Sequence, residues 1–217
     1  MPSTITAVRH GQSESNVAYA RAAAAGVAVV LTVPDADVPL TPLGRGQATA
    51  LGRRLAVGQA PEVVWCSPYL RAVQTWELVA AELDATPEVR LDARLGDRDM
   101  GRLSGMNLAA IRQRFPEEAE RLLRAEYGYR APDGESFSDV ASRVRETVNA
   151  MRAECAGRRV LVVAHDAVVL MLKHVIEKVP LESVSVFAPV GNASVSVWRG
   201  SRSEIFNDDR HLRDISV

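Results

Sequence analysis

The sequence predicts an α/β fold, a three-layer α/β/α sandwich around a mainly parallel sheet. Three observations predict it. Short apolar runs of strand length recur at Ile5–Val8, Val63–Cys66 and Val160–Val163. Each is followed by a polar cluster and then by a segment of helical character, the alternation that builds parallel sheets. Each run also stops at residues that carry chemistry: Arg9-His10-Gly11, Ser67-Pro68-Tyr69-Leu70-Arg71, and Ala164-His165-Asp166. Open α/β sheets bind ligands at the C-terminal ends of their strands, so the repetition points to one shared site.

The elements follow in order. After Gly11, which permits a tight turn or a close backbone approach, Ser13, Ser15 and Asn16 supply small polar groups and start a helix. The Ala-rich stretch Val17–Ala25 continues it until Gly26. Val27–Val33 is apolar and β-branched but closes at Pro34-Asp35-Ala36-Asp37, and strand, helical turn and lid all stay open for it. Thr41 as N-cap and Pro42 in the first turn begin a helix that runs to about Val57. Val89–Leu91 is a short strand, and 109–126 is a charged helix divided by Pro116. Tyr127–Ser136 is a loop; Ser136 and Asp139 form a capping box for a helix over Phe137–Cys155, with Val140, Val144, Val148 and Met151 on its buried face. A helix over Val168–Ile176 follows His165. Val184–Phe187 and Ala193–Trp198 read as closing strands, and 200–217 as a polar periphery.

The bulk composition limits the function classes. At 217 residues the chain suits one domain, 1–217, with variable segments at 17–37 and 104–134. Lys plus Arg (26) nearly balance Asp plus Glu (27), so no broad basic face is implied and nucleic acid is not expected as a partner. No signal-like segment precedes the first strand, and no apolar run is long enough for a bilayer, so a cytoplasmic protein without membrane contact is expected. Cys66 and Cys155 are too few for a disulfide framework and are not spaced as metal ligands. No cofactor or metal motif is present. The sequence leaves homo-oligomerisation open.

The pattern Arg9-His10-Gly11-x-Ser13-x-x-Asn16 after a strand resembles the signature of the histidine phosphatase superfamily, in its phosphoglycerate-mutase-like branch. Ser67-x-x-x-Arg71-Ala72-x-x-Thr75 resembles the second phosphate element of that family, and His165 stands in its second-histidine position. Gly134-Glu135-Ser136 resembles a further family element. The resemblance runs from Ile5 to Trp198 with the motifs in family order. It implies that His10 is phosphorylated during the reaction and that Asp97, where the family usually carries Glu, gives the proton. The family more often has Gly after its second histidine, so Asp166 is a second departure. His-Asp at that place resembles the acid phosphatases and phytases of the other branch, which makes Asp166 the alternative donor.

The chemistry agrees with the resemblance. Phosphoryl transfer requires positive charge around three equatorial oxygens and an in-line nucleophile. Arg9 and Arg71 supply forked donors suited to phosphate, and His165 and Asn16 add hydrogen bonds. A nucleophilic His10 must present a neutral nitrogen while a carbonyl holds the other, and neighbouring Arg charges favour that neutral form. Gly11, Ser13 and Glu135 are further candidate substrate-binding residues. Tyr129 and Arg130, in the loop before Gly134, are candidate contacts to the rest of the substrate. A metal-independent phosphomonoester hydrolase acting on a small phosphorylated metabolite is the expected function. The alternatives are a phosphoglycerate mutase, although Leu108 stands where mutases usually carry Lys, and a non-catalytic phospho-ligand binder.

Overall fold

The run Val63–Cys66 is buried at every position, which is why it lacks polar alternation. In the computed structural model, which describes all residues except 59, 125–127, 214 and 216–217, it lies inside a six-stranded sheet. The strands are β1 (Thr4–Arg9), β2 (Val63–Cys66), β3 (Glu88–Leu91), β4 (Arg159–Ala164), β5 (Val195–Arg199) and β6 (Arg202–Asp208). Their spatial order is β3-β2-β4-β1-β5-β6. The first four run parallel, β5 is antiparallel to β1, and β6 is antiparallel to β5.

The helices are α1 (Glu14–Ala25), α2 (Pro42–Val57), α3 (Leu70–Ala80), α4 (Leu108–Arg114), α5 (Pro116–Leu123), α6 (Phe137–Glu154) and α7 (Asp166–Glu177). Alternate strand residues face opposite layers. Ile5, Val160 and Val162 pack with Val144, Val148 and Met171 of α6 and α7. Val8, Leu161 and Val163 pack with Leu51, Trp76 and Val79 of α2 and α3. A smaller cluster, including Leu103, Ile111, Ala119 and Tyr129, joins α4 and α5 beside the strand ends. Among the described residues, no helix is long and apolar enough to cross a membrane.

Several expected boundaries hold because local chemistry sets them. Thr41 accepts a hydrogen bond from the Gly44 N–H at the start of α2, and Ser136 and Asp139 close a capping box at α6. Ser13 and Asn16 do the same at α1, which ends at Gly26 in the left-handed conformation. Pro116 separates α4 from α5 as expected; the far end of that predicted helix, 125–126, and Tyr127 of the next loop lie outside the described residues.

Two expectations at the C-terminal end are corrected. Val184–Phe187 is not a strand but part of a 3-10 turn, Leu181–Phe187. Leu181, Val184 and Phe187 recur every three residues and all pack on the core beneath α7, so the operative period was three rather than two. The stretch 200–217 is not merely peripheral, because Arg202–Asp208 forms β6. An edge strand is compatible with the polar residues that concealed it. The undecided stretch Val27–Val33 forms neither helix nor strand. It makes an isolated bridge from Val30 to Met106 and leads into a 3-10 turn at Asp35–Asp37.

Candidate active site

Sheet register brings the chemistry together. Arg9 pairs with Ala164 and Cys66 with Val163, so β1, β2 and β4 end in line. The next residue of each strand is still tied across: the His10 N–H donates to Ala164 O and the Ser67 N–H to Val163 O, both at 2.9 Å. His10 and His165 therefore stand side by side, with ring centroids 5.2 Å apart. Arg71 reaches them from the first turn of α3.

The His10 ring is fixed in one tautomer. Nδ1 lies 2.7 Å from Gly11 O, and Arg71 Nε donates to Nε2 at 3.2 Å. A carbonyl can only accept and a guanidinium can only donate, so Nδ1 carries the proton and Nε2 presents its lone pair. The ring stays neutral: burial, then His165, Arg71 and Arg9, hold its pKa well below the usual histidine value. His165 is depressed in the same way, first by burial and then by the two arginines. Its Nε2 lies 2.8 Å from Ser67 Oγ, which in turn accepts from the Tyr69 N–H. Among the described residues, His165 Nδ1 and the donor Arg9 Nε are both buried without a hydrogen-bond partner, as groups kept for a ligand would be.

These two histidines make stability depend on pH. Unfolded, each binds a proton near the ordinary value of about 6.5. Below that value the unfolded chain holds more protons than the folded one, so stability falls as pH falls. Urea titrations between pH 7 and 5.5 should show a loss approaching about 1.4 kcal/mol per pH unit for each histidine, and His10→Gln should remove one share of that slope.

The donor candidates sit on either side. Asp97 Oδ2 lies 3.1 Å from Arg71 Nη2 and 3.5 Å from His165 Nδ1. Asp166 caps the other side, its Oδ1 accepting from the Val190 N–H, and burial raises its pKa against the lowering effect of that bond and of Arg9. Arg9, Asp97 and Asp166 line a cleft of about 340 Å³ that also includes Asp35, Tyr69 and Met100.

The remaining predicted site residues have other partners. Gly11 is required because any Cβ there would collide with Gly44 of α2. Ser13 is buried in its cap beside Ser15. Asn16 Oδ1 accepts from the Ser13 N–H and from Asn192 Nδ2, which orients its own Nδ2 as a donor. Glu135 does not line the cleft. Burial would raise its pKa, but Arg143 and the Asp99 N–H hold it below the ordinary value. Tyr129 and Arg130, the expected contacts to the rest of the substrate, are not among the residues that line the cleft. Tyr129 is buried, and its hydroxyl donates to Glu118 at 2.6 Å, the partner a buried phenol requires. Arg130 is exposed and paired with Asp139.

Two residues escaped the sequence reading, Arg143 and Asp35, and two more entered it only as motif positions without a role. Ser67 and Thr75 lie inside the second motif; Thr75 Oγ1 bonds both the Gly11 N–H and Arg71 O, joining the two phosphate elements. Arg143 donates to the carbonyls of Arg94, Gly96 and Asp97 while gripping Glu135, so it sets the position of the Asp97 loop. An Arg inside the Val140–Val144 stripe was the available signal. Asp35 gave none: Arg71 Nη1 and Nη2 donate to its carboxylate at 3.2 and 3.1 Å, and Nη1 also donates to its carbonyl.

Comparison with known proteins follows this geometry. Residues 5–207 match the sequence profile of the histidine phosphatase superfamily (branch 1). The chain belongs to that superfamily. It is 35% identical over 185 residues to a 2,3-bisphosphoglycerate-dependent phosphoglycerate mutase of Nitrobacter winogradskyi, covering 82% of each chain. A mycobacterial glucosyl-3-phosphoglycerate phosphatase superposes with a TM-score of 0.76 at 26% identity, over 94% of this chain and 98% of that one. An alpha-ribazole phosphatase from Shigella flexneri superposes over 95% of this chain and 96% of that one with a TM-score of 0.78; at 22% identity it shares the fold. Superfamily membership thus spans phosphatases and mutases, and the local chemistry has to separate them.

Proposed function

We propose that this superfamily member is a phosphomonoester hydrolase that acts on a small phosphorylated metabolite through a phosphohistidine at His10. The observation that carries the reading is the locked, neutral His10 ring with its Nε2 lone pair beside Arg71, Arg9 and His165. Nε2 attacks phosphorus, the N–P bond forms, and the P–O bond to the alcohol breaks. The two arginines supply the positive charge that the equatorial oxygens need, and neutral His165 adds a hydrogen bond, without calling on a metal.

Asp97 gives its proton to the departing alkoxide. A bound phosphate competes with Asp97 for Arg71 and brings the leaving oxygen to the side of the site where the carboxyl stands. In the second half, Asp97 takes a proton from water, water oxygen bonds to phosphorus, and the N–P bond breaks to free inorganic phosphate. Two buried free thiols, Cys66 and Cys155, support placing this reaction in the reducing cytoplasm.

Mutase activity is the second reading, and the identity to mutases favours it. The position where mutases usually carry Lys weighs against it, since Leu108 packs into the small cluster around Leu103 and Ile111. Assays with 4-nitrophenyl phosphate, and with 3-phosphoglycerate plus 2,3-bisphosphoglycerate, distinguish the readings. The expected result is phosphate release without isomerised phosphoglycerate. Isomerisation without release would establish the mutase, and neither product would leave a phospho-ligand binder.

A further inference from the structure

Asp35 is held at the mouth of the cleft by the residue that must also bind phosphate. Its carboxylate lies flat against both terminal nitrogens of Arg71, whose side chain is 3% exposed while that of Asp35 is 43% exposed. The chain on either side is anchored. Leu31 N–H donates to Gly105 O, and Asn107 is bonded to both Val27 and Val29. On the other flank, the Glu14 N–H donates to Pro39 O and the Thr41 N–H to Gln12 O. A short span between two such anchors keeps the Asp35 charge beside the phosphate position even when a ligand takes its place on Arg71.

The rest of the mouth adds two carboxylates and one cation whose donors are turned to the protein's own carbonyls. Asp99 and Asp166 also line the cleft. The lining cation on that side, Arg98, donates to the carbonyls of Glu135 and Tyr129 and stacks 4.5 Å above the Phe137 ring. Arg9 donates to Val190 O and belongs to the phosphate end. Beyond the phosphate position, a substrate therefore meets carboxylates and the apolar faces of Met100, Leu103 and Met106.

We propose that Asp35 is a specificity-determining residue, selecting phosphomonoesters whose alcohol part carries no negative charge. The inference rests on the phosphatase reading and adds to it a class of substrate: uncharged or cationic alcohols are admitted, while carboxylate-bearing and doubly phosphorylated ones are disfavoured. Like charges brought together in a site that excludes part of the water cost far more than in bulk solution, which is the basis of the selection.

Glycerol 1-phosphate and 3-phosphoglycerate test it, since they differ chiefly in a hydroxymethyl group against a carboxylate. Wild-type protein should favour glycerol 1-phosphate in kcat/KM by about tenfold or more. In Asp35→Asn the ratio should fall toward one; both values come from the same variant, so any general effect through Arg71 cancels. Equal values or a preference for phosphoglycerate in the wild type would overturn the substrate class, and an unchanged ratio in the variant would overturn the role of Asp35. Hydrolysis of 4-nitrophenyl phosphate in parallel keeps the two readings apart. Its absence removes the phosphatase reading, and the ratio of calorimetric affinities for the same two ligands then decides charge selection in its place.

Discussion

Replacing His10 by alanine should reduce turnover of 4-nitrophenyl phosphate by about 10⁴-fold or more while the protein remains folded. The size follows from the geometry. His10 Nε2 is an unprotonated nitrogen directed at Arg71, and without it the covalent route has no first step. His165 lies beside it with Nε2 occupied by Ser67 and Nδ1 facing Asp97, placed to bind the transferring group rather than to attack. His165→Ala should therefore cost less, about 10²- to 10³-fold, the usual loss for one donor to a developing negative charge. Circular dichroism and thermal unfolding establish that each variant is folded. If His165→Ala proved the more damaging of the two, the assigned roles would be reversed.

The second large effect separates the two carboxyls. Asp97→Asn should lower kcat/KM by about 10²- to 10⁴-fold for an alkyl phosphate, whose alkoxide must be protonated as it leaves. With 4-nitrophenyl phosphate, whose phenolate leaves unaided, the loss should be far smaller. Asp166→Asn should show a weaker effect and no such dependence on the leaving group. The comparison matters because the resting structure gives each carboxyl a different claim. Asp97 touches Arg71 and faces His165, so it is at the reacting centre. Asp166 is the one whose pKa is raised by burial, although its Oδ1 is tied to the Val190 N–H. Leaving-group dependence in Asp166→Asn alone would transfer the donor role to it.

Much of this site was legible before the fold was known, and the reason is physical. Parallel strands in register end side by side, so chemical residues placed immediately after successive buried runs must converge. Arg9, His10 and His165 were singled out by this placement together with the family resemblance, and Arg71, in the first turn of α3 rather than at a strand end, by the resemblance as well. Residues that act through irregular backbone were not. Asp35 lies in a stretch with no periodicity, and the anchoring of its two flanks to the 105–107 loop and to residues 12–14 places it against Arg71. Tyr129 was misread because a loop position close to a motif suggested exposure, whereas the ring fills the cluster between α4 and α5. The 3-10 turn at Leu181–Phe187 was concealed by a three-residue apolar period that four residues are too few to distinguish from alternation. For Asp35 and Tyr129 the missing information was a long-range contact, which no local pattern encodes.

Direct detection of the covalent intermediate tests the central claim. Protein mixed with ³²P-labelled substrate and quenched within milliseconds should carry label that survives alkali, is lost in acid, and maps to the peptide containing His10. Label that is stable to acid, maps elsewhere, or never forms while phosphate is still released would contradict a phosphohistidine mechanism at this site.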